Sequence, residues 1–327
     1  MPQRPRVIIL STGGTIAMIA RGSDAGALRL GAKALAAAVP QLEAIADCET
    51  RDILAKPSAS LTLADQALIG EAAVAAAQTA DGVVITHGTD TLEETAFGLA
   101  LLTRIETPIV LTAAMRRADQ PGADGPANLL AAVRVAASKA ARGAGVLVVI
   151  DDEIHAGPLI RKSHSFRTHA FSSAPFGPIG YVAEDRVRFA LVPAAPPPLM
   201  RFGGGRPPIV PIVEAGPGLE RETVAALAAG GFDGVILSLP GAGHVAAEAA
   251  PDLGRLAERM PVVFASRTGA GETLCASYAY AGSEIDLIAR GLIPARWLDA
   301  RKSRIALQLA LAQGADLAQT RAIFDGF

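Results

Sequence analysis

Short, uninterrupted apolar runs rich in β-branched residues recur through the first half of the chain, at residues 7–10, 82–86, 108–112 and 145–150. Runs of that length without polar alternation suit parallel strands buried on both faces. Helical periodicity fills the intervals, near residues 32–45, 63–80, 92–103 and 126–138. This is the alternation of right-handed βαβ crossovers. Thr62 stands where an N-cap belongs, and Asp90 or Thr91 does the same before Leu92, with Glu93 and Glu94 in the first turn where they suit the helix dipole. Between Asp151 and Val182 the helical period is lost, so irregular or antiparallel structure is expected there, ending in the turn Phe176-Gly177-Pro178-Ile179-Gly180-Tyr181.

From Val192 to Pro208 the chain is rich in proline and glycine, the composition of a linker. Beyond it a smaller α/β set is expected: strands at 209–213, 235–239 and 262–265, and helices at 219–229, 246–259, 283–290, 295–313 and 315–324. The reading is an amino-terminal α/β domain over residues 1–190, a linker over 191–208, and a carboxyl-terminal α/β domain over 209–327.

Composition narrows the partners. Of 327 residues, 19% are charged and the net charge is −2, so neither a polyanion nor an anionic membrane is an expected partner. Arginines are scattered, with Arg116-Arg117 and Arg161-Lys162 the nearest to clusters, and no basic-aromatic signature for nucleic acid is present. No apolar stretch is long enough for a membrane span, and the start Met-Pro-Gln-Arg-Pro-Arg leads into a strand without an apolar leader, so a cytoplasmic protein is expected. Cys48 and Cys275 read as reduced, buried thiols.

The chemistry lies in two loops. Ser11-Thr12-Gly13-Gly14-Thr15-Ile16-Ala17 and Thr86-His87-Gly88-Thr89-Asp90-Thr91 each follow an apolar strand, which places both at carboxyl ends, where open parallel sheets bind ligands. Gly13, Gly14 and Gly88 let main-chain N–H groups approach a ligand, and the threonines supply hydroxyls. A threonine hydroxyl needs a base to become a nucleophile; Lys162 is the candidate, since desolvation or neighbouring cations push a lysine toward its neutral form. Asp90 can orient such a lysine. His87, His155, His164, His169 and His244 show no metal-ligand spacing, so no metal or cofactor is expected. The pairing of loops points to an amide hydrolase.

The chain resembles the bacterial-type L-asparaginase/glutaminase family. The resemblance rests on the uninterrupted motifs Ile9-Leu10-Ser11-Thr12-Gly13-Gly14-Thr15-Ile16-Ala17 and Gly82-Val83-Val84-Ile85-Thr86-His87-Gly88-Thr89-Asp90-Thr91-Leu92. It continues through Ala113-Ala114-Met115-Arg116, Ala123-Asp124-Gly125-Pro126-Ala127-Asn128-Leu129, the Lys162 region and Ala306-Leu307-Gln308-Leu309-Ala310-Leu311. It implies a larger flavodoxin-like parallel-sheet domain followed by a smaller α/β domain. It also implies a charge-relay set of Thr89, Asp90 and Lys162, attack on a side-chain amide by Thr12, and substrate contacts from Ser58, Gly88, Ala114 and His244. The expected reaction converts L-asparagine to L-aspartate and ammonia through an acyl-threonine, with no cofactor, in a homo-oligomer built from dimers.

Departures from the family pattern fall on the substrate side. The lid stretch 18–31 holds no tyrosine, and Leu28 stands at the matching position; Ala59 replaces a glutamine; the acidic residue expected near 272–283 has no clear counterpart. Tyr278, Tyr280, Ser23 or Arg29 is expected to replace the missing phenol. Two other readings stay open: a glutaminase or another small-amide hydrolase, and a non-catalytic module holding an anion at a helix start.

Overall fold

The structure, a computed structural model, describes residues 4–21, 24–29, 31–191, 197–217 and 219–327, and only the backbone between 17 and 30. The chain divides into two compact units, Met1–Pro196 and Pro197–Phe327.

In unit 1, β1 (Arg6–Ser11) leads to the hairpin β2 (Met18–Arg21) and β3 (Asp24–Arg29), then to α1 (Ala32–Ala37), α2 (Leu42–Ile45) and β4 (Asp47–Asp52). There follow α3 (Leu63–Ala77), β5 (Gly82–Thr86), α4 (Leu92–Leu102), β6 (Ile109–Thr112), α5 (Gly125–Ala137) and β7 (Val146–Ile150). The unit closes with β8 (Glu153–Ala156), β9 (Arg161–Lys162), β10 (Phe171–Ser172), β11 (Gly180–Ala183) and β12 (Arg186–Phe189). The main sheet runs β12-β11-β8-β7-β6-β5-β1-β4. Its β4-β1-β5-β6-β7 part is parallel, while β8, β11 and β12 join antiparallel. The sheet is thus mixed, and the antiparallel arm occupies the stretch whose sequence loses the helical period.

Alternation along the buried strands sorts side chains into two layers. Val7, Ile9, Val84 and Val110 pack with α5 residues such as Leu129 and Val133, and Ile8, Leu10, Val83 and Ile85 pack with Ile69 of α3 and Leu99 of α4. Each such aliphatic side chain contributes roughly 1.5–3 kcal/mol by leaving water, so strands apolar on both faces fix the doubly wound arrangement and with it the crevice at their carboxyl ends.

The expected helix over 32–45 is two short ones. Pro40 lies between them, and a proline offers no N–H to the preceding turn. Strand β4 was not expected: Asp-Cys-Glu-Thr-Arg-Asp carries no apolar run because it sits at the sheet edge beside β1 alone. Thr62 caps α3 in a full capping box with Asp65. At α4 Thr91 holds the N-cap position without capping; its hydroxyl donates to the Ser58 carbonyl at 2.8 Å.

Unit 2 contains β13 (Ile212–Glu214), α6 (Arg221–Ala229), β14 (Val235–Leu239), α7 (Ala250–Ala257), β15 (Val262–Ser266), α8 (Glu284–Ala289), β16 (Ile293–Pro294), α9 (Ala300–Ala312) and α10 (Leu317–Asp325). Its parallel sheet runs β13-β14-β15-β16. The helix expected from 295 starts at 300, where Asp299 accepts from the Arg301 and Lys302 amides. Both cysteines are free, and they are half-buried rather than buried. Among the described residues no helix is long and apolar enough to cross a membrane.

Candidate active site

Strands β1 and β5 pair in parallel register with Ser11 beside Thr86, so the two threonine loops leave the sheet side by side. The Thr12 amide and hydroxyl both donate to the Thr86 carbonyl, at 3.1 and 3.0 Å. The loops then touch backbone to backbone. A Cβ placed on Gly14, where φ is +91°, would lie 2.4 Å from the Gly88 Cα and N; one on Gly88 would lie 2.6 Å from Ser58 Oγ. The glycines that the sequence offers for ligand approach are therefore also the residues that let the two loops and the Ser58 turn close on one another.

Ser58, buried in a 3-10 turn, accepts the Asp90 amide on its Oγ at 3.2 Å. Its neighbour Lys56 pairs with Asp65 at 2.7 Å. Burial pushes the Asp65 acid up, but the bonds from Lys56 and Thr62 outweigh that and hold it below its ordinary value.

Lys162 reaches this cluster from the two-residue ladder β9–β10, where it faces Phe171. Its Nζ donates to Thr89 Oγ1 at 2.9 Å and to Asp90 Oδ1 at 2.7 Å. The Asp90 side chain is 66% exposed, so the ion pair is worth only about 0–1 kcal/mol to folding. Its effect is to aim the amine. Glu93 adds a second hold: fully enclosed in α4, its Oε2 accepts the Lys162 amide at 2.5 Å. Segment 89–93 thus grips both ends of Lys162. The sequence reading gave Glu93 only a dipole role; the signal available was an acid among the apolar positions of α4, since a buried carboxylate requires a partner.

Ala114 is buried just beyond β6. The Asp124 carboxylate accepts the Met115 and Arg116 amides, both at 2.9 Å, and Asn128 Nδ2 donates to the Ala113 carbonyl at 2.9 Å. The 123–129 motif is therefore the brace of the 113–116 loop.

His87 is wholly buried and its Nδ1 donates to the Gly88 carbonyl at 2.7 Å, leaving Nε2 without a partner. Burial lowers its pKa to about 4. It is neutral near pH 7 and braces the loop. His155 is buried beside Ser173 at 2.9 Å, and burial, aided by the charge of His169, lowers its pKa to about 4. His169 pairs with Asp151 at the surface, and His164 Nδ1 accepts the Phe166 and Arg167 amides. Among the described residues no group of three His, Cys, Asp or Glu side chains is placed to hold a metal.

In unit 2, His244 follows β14. Its Nε2 lies 3.1 Å from Glu284 Oε2, and Tyr280 donates its hydroxyl to Nδ1 at 2.8 Å. The Tyr278 ring meets the imidazole edge-on at 5.1 Å. Glu284 is fully buried and its Oε1 accepts the Ser277 and Tyr278 amides at 2.8 and 2.7 Å. Burial raises the Glu284 acid, yet these bonds and the one from His244 keep it below its usual range.

Two family models match this chain: "Asparaginase, N-terminal" over residues 6–194 and "Glutaminase/Asparaginase C-terminal domain" over residues 209–324. The chain belongs to the asparaginase family. Among asparaginase-family relatives, a protein named probable L-asparaginase periplasmic from Haemophilus influenzae is 33% identical, covering 99% of this chain and 93% of its own length. A glutaminase-asparaginase from Pseudomonas fluorescens is also 33% identical, over 97% of this chain and 89% of its own. A solved structure of a probable cytoplasmic L-asparaginase from Campylobacter jejuni superposes with a TM-score of 0.86 at 32% identity, over 99% of this chain and 100% of that one. Of the groups expected to replace the missing phenol, Ser23 and the Arg29 side chain lie outside the described residues, as does the side chain of Leu28 at the matching position. Tyr278 and Tyr280 are described, and only Tyr280 makes a side-chain hydrogen bond to His244.

Proposed function

We propose that this protein hydrolyses the side-chain amide of L-asparagine to L-aspartate and ammonia. The observation that carries the reading is the Lys162 amine bridging Thr89 Oγ1 and Asp90 Oδ1. Once neutral, that amine can take the Thr89 proton, and Thr89 can take one from a hydroxyl or water, with Asp90 stabilising the ammonium that forms. Thr12 attacks the amide carbon, the C–N bond breaks as the relay returns a proton to nitrogen, and ammonia leaves. Water, deprotonated along the same route, then cleaves the Thr12 ester. A main-chain N–H near Thr89 supports the oxyanion, a contact worth roughly 10²–10³ in rate. Ser58, Gly88, Ala114 and His244 are the substrate-binding residues in this reading. Residues 1–190 carry the reaction chemistry, 191–208 link, and 209–327 form the second domain of a cytoplasmic dimer or dimer of dimers.

A second assignment exchanges the two threonines. It is favoured by the contacts of the resting hydroxyls, since Thr89 faces an amine whereas Thr12 faces the Thr86 carbonyl, which is no base.

The test is ammonia release from L-asparagine, L-glutamine and D-asparagine over a wide concentration range, by wild type and Lys162→Met. Preference for L-asparagine with a loss of about 10²–10⁴ in kcat for the variant supports the proposal. Preference for L-glutamine assigns the glutaminase reading, and binding without turnover assigns the module. The mass of the acyl adduct on Thr12 or Thr89 peptides separates the two nucleophiles.

A further inference from the structure

We propose that Glu284, His244 and Tyr280 form a proton relay ending at an exposed, base-activated phenol, a site for proton donors and for electrophiles.

Hydrogen-bond bookkeeping fixes the direction. The Glu284 carboxylate is an acceptor only: Oε1 takes the Ser277 and Tyr278 amides and Oε2 faces His244 Nε2. Nε2 therefore carries the proton, Nδ1 presents its lone pair, and Tyr280 must donate its hydroxyl to it at 2.8 Å. Carboxylate, imidazole and hydroxyl are in the order that activates a hydroxyl in hydrolases. The inner end is sealed, since Glu284 has no solvent exposure, while Tyr280 is 52% exposed. A proton donor brought to Tyr280 gives its proton to the phenol oxygen as the phenol proton passes to Nδ1. One O–H bond breaks at the donor, one is replaced at Tyr280, and one N–H forms, giving an imidazolium against the Glu284 carboxylate. Reversal returns the proton to a leaving group. Aromatic packing alone does not require this set: Tyr278 meets the same imidazole edge-on with no side-chain bond to it.

The chain provides its own controls, because its three tyrosines, Tyr181, Tyr278 and Tyr280, are 46%, 46% and 52% exposed. The probe is an aryl sulfonyl fluoride: the phenol oxygen bonds to sulfur, the S–F bond breaks, fluoride leaves, and the phenol proton passes to His244 Nδ1. Peptide mapping of the full-length protein is expected to find Tyr280 labelled about tenfold faster than the other two, each rate normalised to the urea-unfolded chain. His244→Ala is expected to remove the preference. Glu284→Gln is expected to weaken it, because an amide N–H facing Nε2 forces the other tautomer. Equal labelling of all three tyrosines overturns the relay.

Discussion

Acidification from pH 7 to pH 5 is expected to destabilise unit 1 by about 4 kcal/mol, through two histidines buried neutral. His87 and His155 have pKa values lowered from 6.5 to about 4 by burial. The unfolded chain binds protons below about pH 6.5 and the folded one only near 4, so the stability these residues allow is complete above 6.5 and is lost as pH falls toward 4. At pH 5 each unfolded histidine is almost fully protonated and each folded one about one-tenth, which amounts to about 2 kcal/mol per residue. The depressed carboxylates, such as Glu49, act in the same sense but at lower pH: their contribution is present above the usual carboxylate range and is lost as pH falls beneath it. The single tryptophan, Trp297, belongs to unit 2, so the assay is amide exchange of β1 and β5 peptides read by mass spectrometry at the two pH values. His87→Asn keeps a donor for the Gly88 carbonyl without a titrating ring, and its pH-dependent loss is expected to fall to about 2 kcal/mol. A variant that loses as much as wild type refutes the assignment.

Gly14→Ala drives a Cβ to 2.4 Å from Gly88 backbone atoms and holds a non-glycine residue at φ +91°; a stability loss of about 3 kcal/mol in urea unfolding and a fall of at least about 10² in kcat are expected. Glu93→Ala leaves the Lys162 amide without its buried acceptor; about 1–3 kcal/mol of local stability is lost, seen as faster exchange at that amide, with kcat reduced about tenfold. Thr62→Ala removes the α3 capping box and costs about 1 kcal/mol in urea unfolding while kcat stays unchanged.

What the sequence made legible follows from burial. Strands β5, β6 and β7 lie where uninterrupted apolar runs put them, because two faces of helices demand such runs. Strand β4 escaped notice because an edge strand can be charged, and α1 and α2 were joined because periodicity outweighed one proline. Thr12 and Thr89 were legible from motifs at strand ends, whereas Lys162 came in through its chemistry and Ser58 through the family resemblance. The Glu93 grip was not legible, since an acid in a first helical turn already has a local explanation, and its acceptor role spans 69 positions. The Tyr280–His244 bond joins loops 36 positions apart that share no periodic pattern.

The ladder that carries Lys162 also sets a timetable. Asp90 precedes Lys162 by 72 positions, and Lys162 is ordered by pairing with Phe171 later still. At roughly 5–20 residues per second, a ribosome finishes the threonine loops about 4–15 s before the amine can arrive. On the mechanism proposed above, a nascent chain therefore presents both hydroxyl-bearing loops on a nearly complete parallel sheet, yet stays chemically silent until β10 has been made.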